Sequence, residues 1–289
     1  MAQLSLALRV LALALVVTLP AAAGDPTPEN RLSGVFQAIE ANQHDVALKR
    51  VDALIRDHPN FRLAHLVRGD LLLARARPLQ TFGNVAKTVP QEKIDDLREE
   101  ALARLRAQRQ RPNEDRLPRF MLQLHSAQKH ALVVDSRHSR LYVFANANGH
   151  PRLIADYYVT LGKNGVEKTR EGDQKTPIGV YHVTANLPRQ KLTDFYGAGA
   201  FPINYPNEWD RRQGRNGHGI WLHGTPSAVY SRPPRASDGC IVLDNPDLKT
   251  LGGYLQIGLT PVIIADEIEW SDAAVVEAER SSLAVAFEA

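Results

Sequence analysis

Two clusters in the chain hold residues able to do covalent chemistry together. One is Gly219-Ile220-Trp221-Leu222-His223-Gly224-Thr225. The other is Arg235-Ala236-Ser237-Asp238-Gly239-Cys240-Ile241-Val242-Leu243. Cys240 is the single cysteine of the sequence, so no internal disulfide can form. A cysteine attacks through its thiolate, and with a free pKa of about 8.5 only a few per cent is ionised at neutral pH. A neighbouring imidazole can take that proton and later hand it to a leaving amine. His223 precedes Cys240 by seventeen residues, enough chain for a loop to return beside the short strand that the histidine ends. Cys240 follows a glycine, which permits a tight turn open to a ligand. There the N–H groups of Gly239 and Cys240 can face a tetrahedral oxyanion. The chemistry is acyl transfer through a thioester. Residue types alone leave a packed histidine and an idle thiol as the alternative.

Residues around the pair admit two readings each. His218 either lines the same cleft or sits at a strand edge. A zinc site built from His218, His223 and Cys240 lacks the paired-ligand spacing of zinc proteins, so no metal and no cofactor is expected. Trp221 reads as core and Ser237 as support for the turn. Arg211, Arg212, Arg215, Arg232 and Arg235 form either a solvated loop surface or an electropositive rim that grips carboxylates in bidentate fashion.

The elements that must position these residues follow from periodicity. Leu32, Val35, Phe36 and Ile39 share one helical face, Leu48, Val51 and Ile55 a second, and a third helix runs over 62–76 to Pro78. Residues 45–73 resemble one tetratricopeptide-type hairpin, but such repeats need neighbours, so a small helical accessory domain over 28–110 is expected. Residues 93–109 form a further helix with a basic end at Arg104, Arg106, Arg109 and Arg111, read as a solvated face. Residues 111–117 read as a linker. After about residue 129 the period becomes alternating. Strands are expected at 131–135, 141–144, 153–161, 180–183, 220–222 and 261–265, with a polar loop over 162–175. The fold class is therefore α+β: a helical segment, a mostly β domain over 129–267 and a C-terminal helix or tail over 268–289.

The 289 residues suit one or two domains, and 44% hydrophobic with 23% charged residues is an ordinary globular balance. A net charge of +3 without a basic motif argues against nucleic acid as partner. Residues 1–23 read as a secretory leader: Arg9, an apolar run from Val10 to Leu19, then Ala21-Ala22-Ala23. That run is too short to span a bilayer, and no later stretch is apolar enough, so an exported protein with no membrane span is expected. The N-terminal helices are left to bind a protein partner or to cover the cleft.

Residues 131–265 resemble the catalytic domain of the L,D-transpeptidase (YkuD) family. The matching pieces are Val133-Val134-Asp135, Leu141-Tyr142-Val143, Gly162-Lys163, Lys175-Thr176-Pro177-Ile178-Gly179-Val180-Tyr181, Tyr205-Pro206-Asn207, His223-Gly224-Thr225 and Ser237-Asp238-Gly239-Cys240-Ile241, in that order. The resemblance implies a mostly β fold and periplasmic acyl transfer on peptidoglycan stem peptides. Cys240 would be the nucleophile and His223 the base, with the Gly224 carbonyl orienting the imidazole and Gly239 supplying an oxyanion N–H. Asp238 stands where the family usually has a histidine, and Val242 where it has an arginine. An anion there raises the thiol pKa unless it pairs with a cation such as Arg232 or Arg235. Arg232, Arg235, Asp238 and His218 are accordingly the candidate substrate-binding residues. Cross-linking, hydrolysis by an L,D-carboxypeptidase or amidase, and a degenerate peptidoglycan-binding module are the readings that remain.

Overall fold

The computed structural model describes residues 27–84, 89–113 and 115–288. The leader-like residues 1–23 lie outside them. Helix α1 spans Pro28–Glu40. Thr27 accepts the Asn30 N–H at 3.2 Å and Pro28 occupies the first turn, where its missing N–H costs nothing. α2 (His44–Asp57) and α3 (Arg62–Ala74) pack as an antiparallel hairpin, and α4 covers Gln91–Arg109. Their inward faces, Leu32, Val35, Phe36, Val51, Leu54, Leu63 and Val67, form one apolar cluster.

The expectation that the basic end of α4 is solvated fails at Arg104, which is buried. Its guanidinium bonds Glu100 Oε1 at 2.9 Å, pairs with Glu29 and lies 3.9 Å over the Tyr158 ring. A desolvated arginine is tolerable only when its fixed donors are filled in this way. The expected linker over 111–117 is corrected too. It enters strand β1 (Arg116–Pro118), whose partner lies at the far end of the chain and could not be read locally.

β2 (His130–Asp135) and β3 (Arg140–Ala147) form the expected hairpin, extended by β4 (His150–Tyr158), while the short β5 (Leu161–Gly162) leaves that sheet and pairs in parallel with residues 235–237. Then come β6 (Gly179–His182), β7 (Leu187–Pro188), β8 (Gly199–Pro202), the short helix α5 (Glu208–Arg212), β9 (Trp221–His223), β10 (Arg235–Ser237) and β11 (Ile241–Val242). α6 (Asn245–Gly252), β12 (Pro261–Ala265), β13 (Trp270–Asp272) and α7 (Ala273–Glu288) complete the chain.

A five-stranded sheet in the order β4-β3-β2-β12-β6 faces a four-stranded sheet in the order β11-β9-β8-β7. Leu132, Val134, Leu141, Val143 and Val262 from the first meet Phe201, Leu222 and Ile241 from the second. The opposite face of the larger sheet, Ala131, Val133, Tyr142 and Phe144, is covered by Leu117, Met121, Ile268 and Val276, that is, by the β1–β13 ribbon and α7. Both faces of β2 are thus buried, which explains its near-continuous apolar run.

Leu222 is fully buried beneath the strand that ends in His223. Leu222→Ala should lower unfolding free energy by about 2–5 kcal/mol in chemical denaturation, whereas Val180→Thr, on the exposed edge of the larger sheet, should change it by no more than about 0.5 kcal/mol.

Candidate active site

β9 and β11 run side by side and parallel, with Leu222 opposite Ile241 and His223 opposite Val242. Side chains alternate along a strand. Leu222 and Ile241 enter the core, so His223 projects from the other face, where Cys240, one step ahead of Ile241, also lies. The two candidate residues therefore share a face, His223 at the end of β9 and Cys240 at the entry of β11 beside it.

His223 is almost wholly buried, with the Tyr196 ring 5.2 Å and the Phe195 ring 5.7 Å away. Its Nδ1 lies 2.7 Å from the Gly224 carbonyl oxygen. A carbonyl only accepts, so Nδ1 carries the proton and Nε2 keeps a free lone pair. Burial pulls the imidazole pKa down to about 4, the Gly224 bond opposes this, and the Arg232 charge adds to it.

The Cys240 sulfur sits at the entry of β9. It donates to the Gly219 carbonyl at 3.3 Å, and the Trp221 N–H also faces it. Burial pushes the thiol up to about 11 and Asp238 pushes the same way, while the Trp221 N–H, Arg232 and Lys168 oppose. The resting pair is accordingly a neutral thiol and a neutral imidazole. Such a pair can pass one proton when an electrophile arrives, without carrying separated charges beforehand.

Arg232 enters this site. Its guanidinium lies 4.9 Å from the Phe195 ring, and its charge acts on both His223 and Cys240. Burial lowers its pKa, against the charges of Asp238 and Cys240. The other candidates for substrate contact are placed differently. Asp238 pairs with neither arginine; it accepts from Lys163 Nζ at 3.0 Å and Gln174 Nε2 at 3.1 Å. Arg235 turns away and donates to the Ser136 carbonyl at 3.4 Å. His218 is exposed and sits 3.5 Å from Glu171 rather than with the pair. Arg212 and Arg215 bond Glu208 and Asp210, and Arg211 bonds the Pro206 carbonyl, so these three belong to the loop surface.

Ser237 supports the turn as expected. Its hydroxyl donates to the Cys240 carbonyl at 2.6 Å and accepts the Gly239 N–H at 3.1 Å. That second bond occupies the N–H assigned to an oxyanion, so Gly239 must give it up to serve in that role. Glycine is needed here on other grounds. Its φ is +122°, and a Cβ would lie 2.6 Å from the Lys175 carbonyl oxygen.

Residues 129–264 match the family model described as the L,D-transpeptidase catalytic domain, YkuD. This segment is a YkuD domain. The solved structure of Bd1075 from Bdellovibrio bacteriovorus is 32% identical over 60% of this chain and 62% of its own, with a TM-score of 0.53. The helical cell shape determining protein Pgp2 from Campylobacter jejuni is 26% identical over 51% and 52%, with a TM-score of 0.44. The chain thus spans less than two thirds of the length of either protein. No curated protein matches it.

Within the YkuD domain, two positioning features escaped sequence reasoning. Asn245 opens α6, accepting the Ala198 N–H at 2.7 Å and donating to the Thr225 carbonyl at 2.9 Å. It ties together the loops on either side of Gly224, and a Cβ at Gly224 or Gly197 would strike its side chain. Asp244 before it, capping the Asp247 N–H at 2.8 Å with Pro246 in the first turn, was the readable helix signal. The second feature is Asp173, which braces the 162–175 loop by accepting from Lys168 Nζ and the N–H groups of Thr169, Arg170 and Lys175. Burial works against its charge, but these donors hold the carboxyl well below the usual carboxylate range. Among the described residues no group of three His, Cys, Asp or Glu is arranged to hold a metal.

The neutral resting pair makes a specific prediction. Alkylation of Cys240 by iodoacetamide should be slow at pH 7 and rise through pH 9 to 11, following the thiol at about 11. A rate already at its plateau at pH 7 would show a preformed thiolate instead.

Proposed function

We propose that the YkuD domain is a cysteine acyltransferase of the L,D-transpeptidase type acting on peptidoglycan stem peptides, with Cys240 as nucleophile and His223 as general base and acid. The observation that carries this reading is the shared face of His223 and Cys240, with Nδ1 bonded to the Gly224 carbonyl so that Nε2 is free. On this reading the Sγ proton passes to Nε2 as sulfur attacks the amide carbon before the terminal D-residue. The imidazolium returns that proton to the departing amine, leaving a thioester. The amine of a second stem peptide then attacks, gives its proton to Nε2 and forms the cross-link, and the thiol is regenerated. The Trp221 N–H is the backbone donor beside the sulfur. Arg232 receives the carboxylate of the leaving D-residue, the role its fixed fork suits. No described helix is long and apolar enough to cross a membrane. The enzyme works in the periplasm, where stem peptides lie, in keeping with the leader-like residues 1–23.

A second reading, with water as acceptor, is favoured by one feature. Where the family usually has a histidine, Asp238 is already paired with Lys163 and Gln174, so an acceptor amine meets side chains engaged with one another.

Incubation with a disaccharide tetrapeptide separates the two. Cross-linked dimer supports transfer, and tripeptide with free D-alanine supports hydrolysis. Cys240→Ala should abolish either product and any carbapenem adduct seen by mass spectrometry, and His223→Ala should slow turnover by about 10²–10⁴-fold. An adduct that persists in Cys240→Ala, or neither turnover nor adduct in the wild type, would leave only a peptidoglycan-binding module.

A further inference from the structure

The chain between the two candidate catalytic residues does not loop freely into solvent. Residues 226–234 contain Pro226, Pro233 and Pro234 and form no regular element. A turn from the Val229 N–H to the Pro226 carbonyl, Thr225 Oγ1 on the Tyr230 carbonyl and Ser227 on Asp194 hold the first half of this segment from the β unit. The N-terminal helices hold it from the other side. Tyr230 is buried in the apolar cluster of the helical unit, stacked on Phe61 at 4.3 Å and edge-on to His58 at 5.0 Å. Its N–H donates to the Asn60 carbonyl at 3.3 Å, and Asn60 Nδ2 donates to the Ser227 carbonyl at 3.0 Å. Ser231 Oγ donates to the buried Glu100 Oε1 at 2.6 Å. The next residue is Arg232, which reaches the other way, over Phe195 and toward His223 and Cys240.

Arg232 is restrained from its other side as well. Its carbonyl accepts from Tyr158 Oη and Thr160 Oγ1, both at 3.0 Å. The Tyr158 ring carries Arg104 of α4, which the same Glu100 holds through Nε at 3.1 Å and Nη2 at 2.9 Å. Glu100 thus grips both the residue before Arg232 and the cation that presses on the tyrosine behind it.

We infer that the N-terminal helical unit is a positioning device for Arg232: by gripping Tyr230 and Ser231 it aims the guanidinium at the carboxylate of the peptide's terminal residue. An arginine side chain is costly to order, and a site that supplies the order beforehand discriminates better between a carboxylate and a neutral group. Tyr230, Ser231, Asn60 and Glu100 are positioning residues, since none of them faces the sulfur. The inference rests on the reading of Arg232 given above.

The test compares two ligands on the full chain carrying Cys240→Ser, so that binding is read without turnover. Calorimetry gives the Kd for a stem tetrapeptide and for the same peptide with its terminal carboxyl amidated. The parent should prefer the free carboxylate by about tenfold or more, as a charged hydrogen bond is lost on amidation, and Arg232→Gln should remove that preference. Ser231→Ala with Asn60→Ala, and separately Tyr230→Leu, should shrink the preference toward about twofold while leaving the Kd for the amide nearly unchanged. Tyr230→Phe, which keeps the ring stack, should retain it. A merely structural role would weaken both ligands in parallel and leave the ratio intact, and that result overturns the inference alone. Should the parent bind neither ligand, or show no preference for the carboxylate, the reading of Arg232 falls and takes the inference with it.

Discussion

One register supports everything else at the site: Leu222 opposite Ile241 on two parallel strands. A slip of one residue in either strand would exchange faces. It would carry Leu222 onto the face that now bears the candidate pair and His223 or Cys240 into the core. Because both Leu222 and Ile241 are fully buried, such a slip would forfeit apolar burial on both strands at once. The placement of the candidate pair is thus fixed from below, by packing, before any polar contact is considered. The Gly224 carbonyl then settles the imidazole tautomer, and Asn245 holds the loops on either side of that carbonyl.

Burial at the site has a cost that the arrangement turns to use. Desolvation opposes charge on both members of the pair, lowering the imidazole and raising the thiol. Neither is activated alone, and proton transfer between them creates two charges where none existed. Groups already in place can meet those charges: the Trp221 N–H beside the sulfur and the Gly224 carbonyl behind the ring. On the proposed function, reactivity is then coupled to the arrival of an electrophile beside the sulfur.

Much of this was legible in the sequence because its signals are local. The helical faces of α1 to α3, the β2–β3 hairpin and the apolar β12 show in residue spacing alone. The His223-Gly224 and Gly239-Cys240 motifs point to a candidate pair, though not to the contacts around it. What escaped depends on distant partners. β1 is a strand only because β13 lies beside it, Arg104 reads as a surface cation because Glu29 and Tyr158 are far off in sequence, and Asp238 finds Lys163 across 75 residues instead of a nearby arginine. The missed α6 is different: Asp244 and Pro246 were a readable start signal that the short apolar run before them obscured.

The antiparallel ribbon of β1 and β13 has an architectural consequence. It brings the entry and the exit of the β unit together, roughly 5 Å apart as neighbouring strands must be. A body whose two ends meet at one seam can be joined to other modules there without rethreading its interior. The helices ahead of β1 are such an addition, joined to the β unit once along the chain and packed back against Tyr158 and Tyr230.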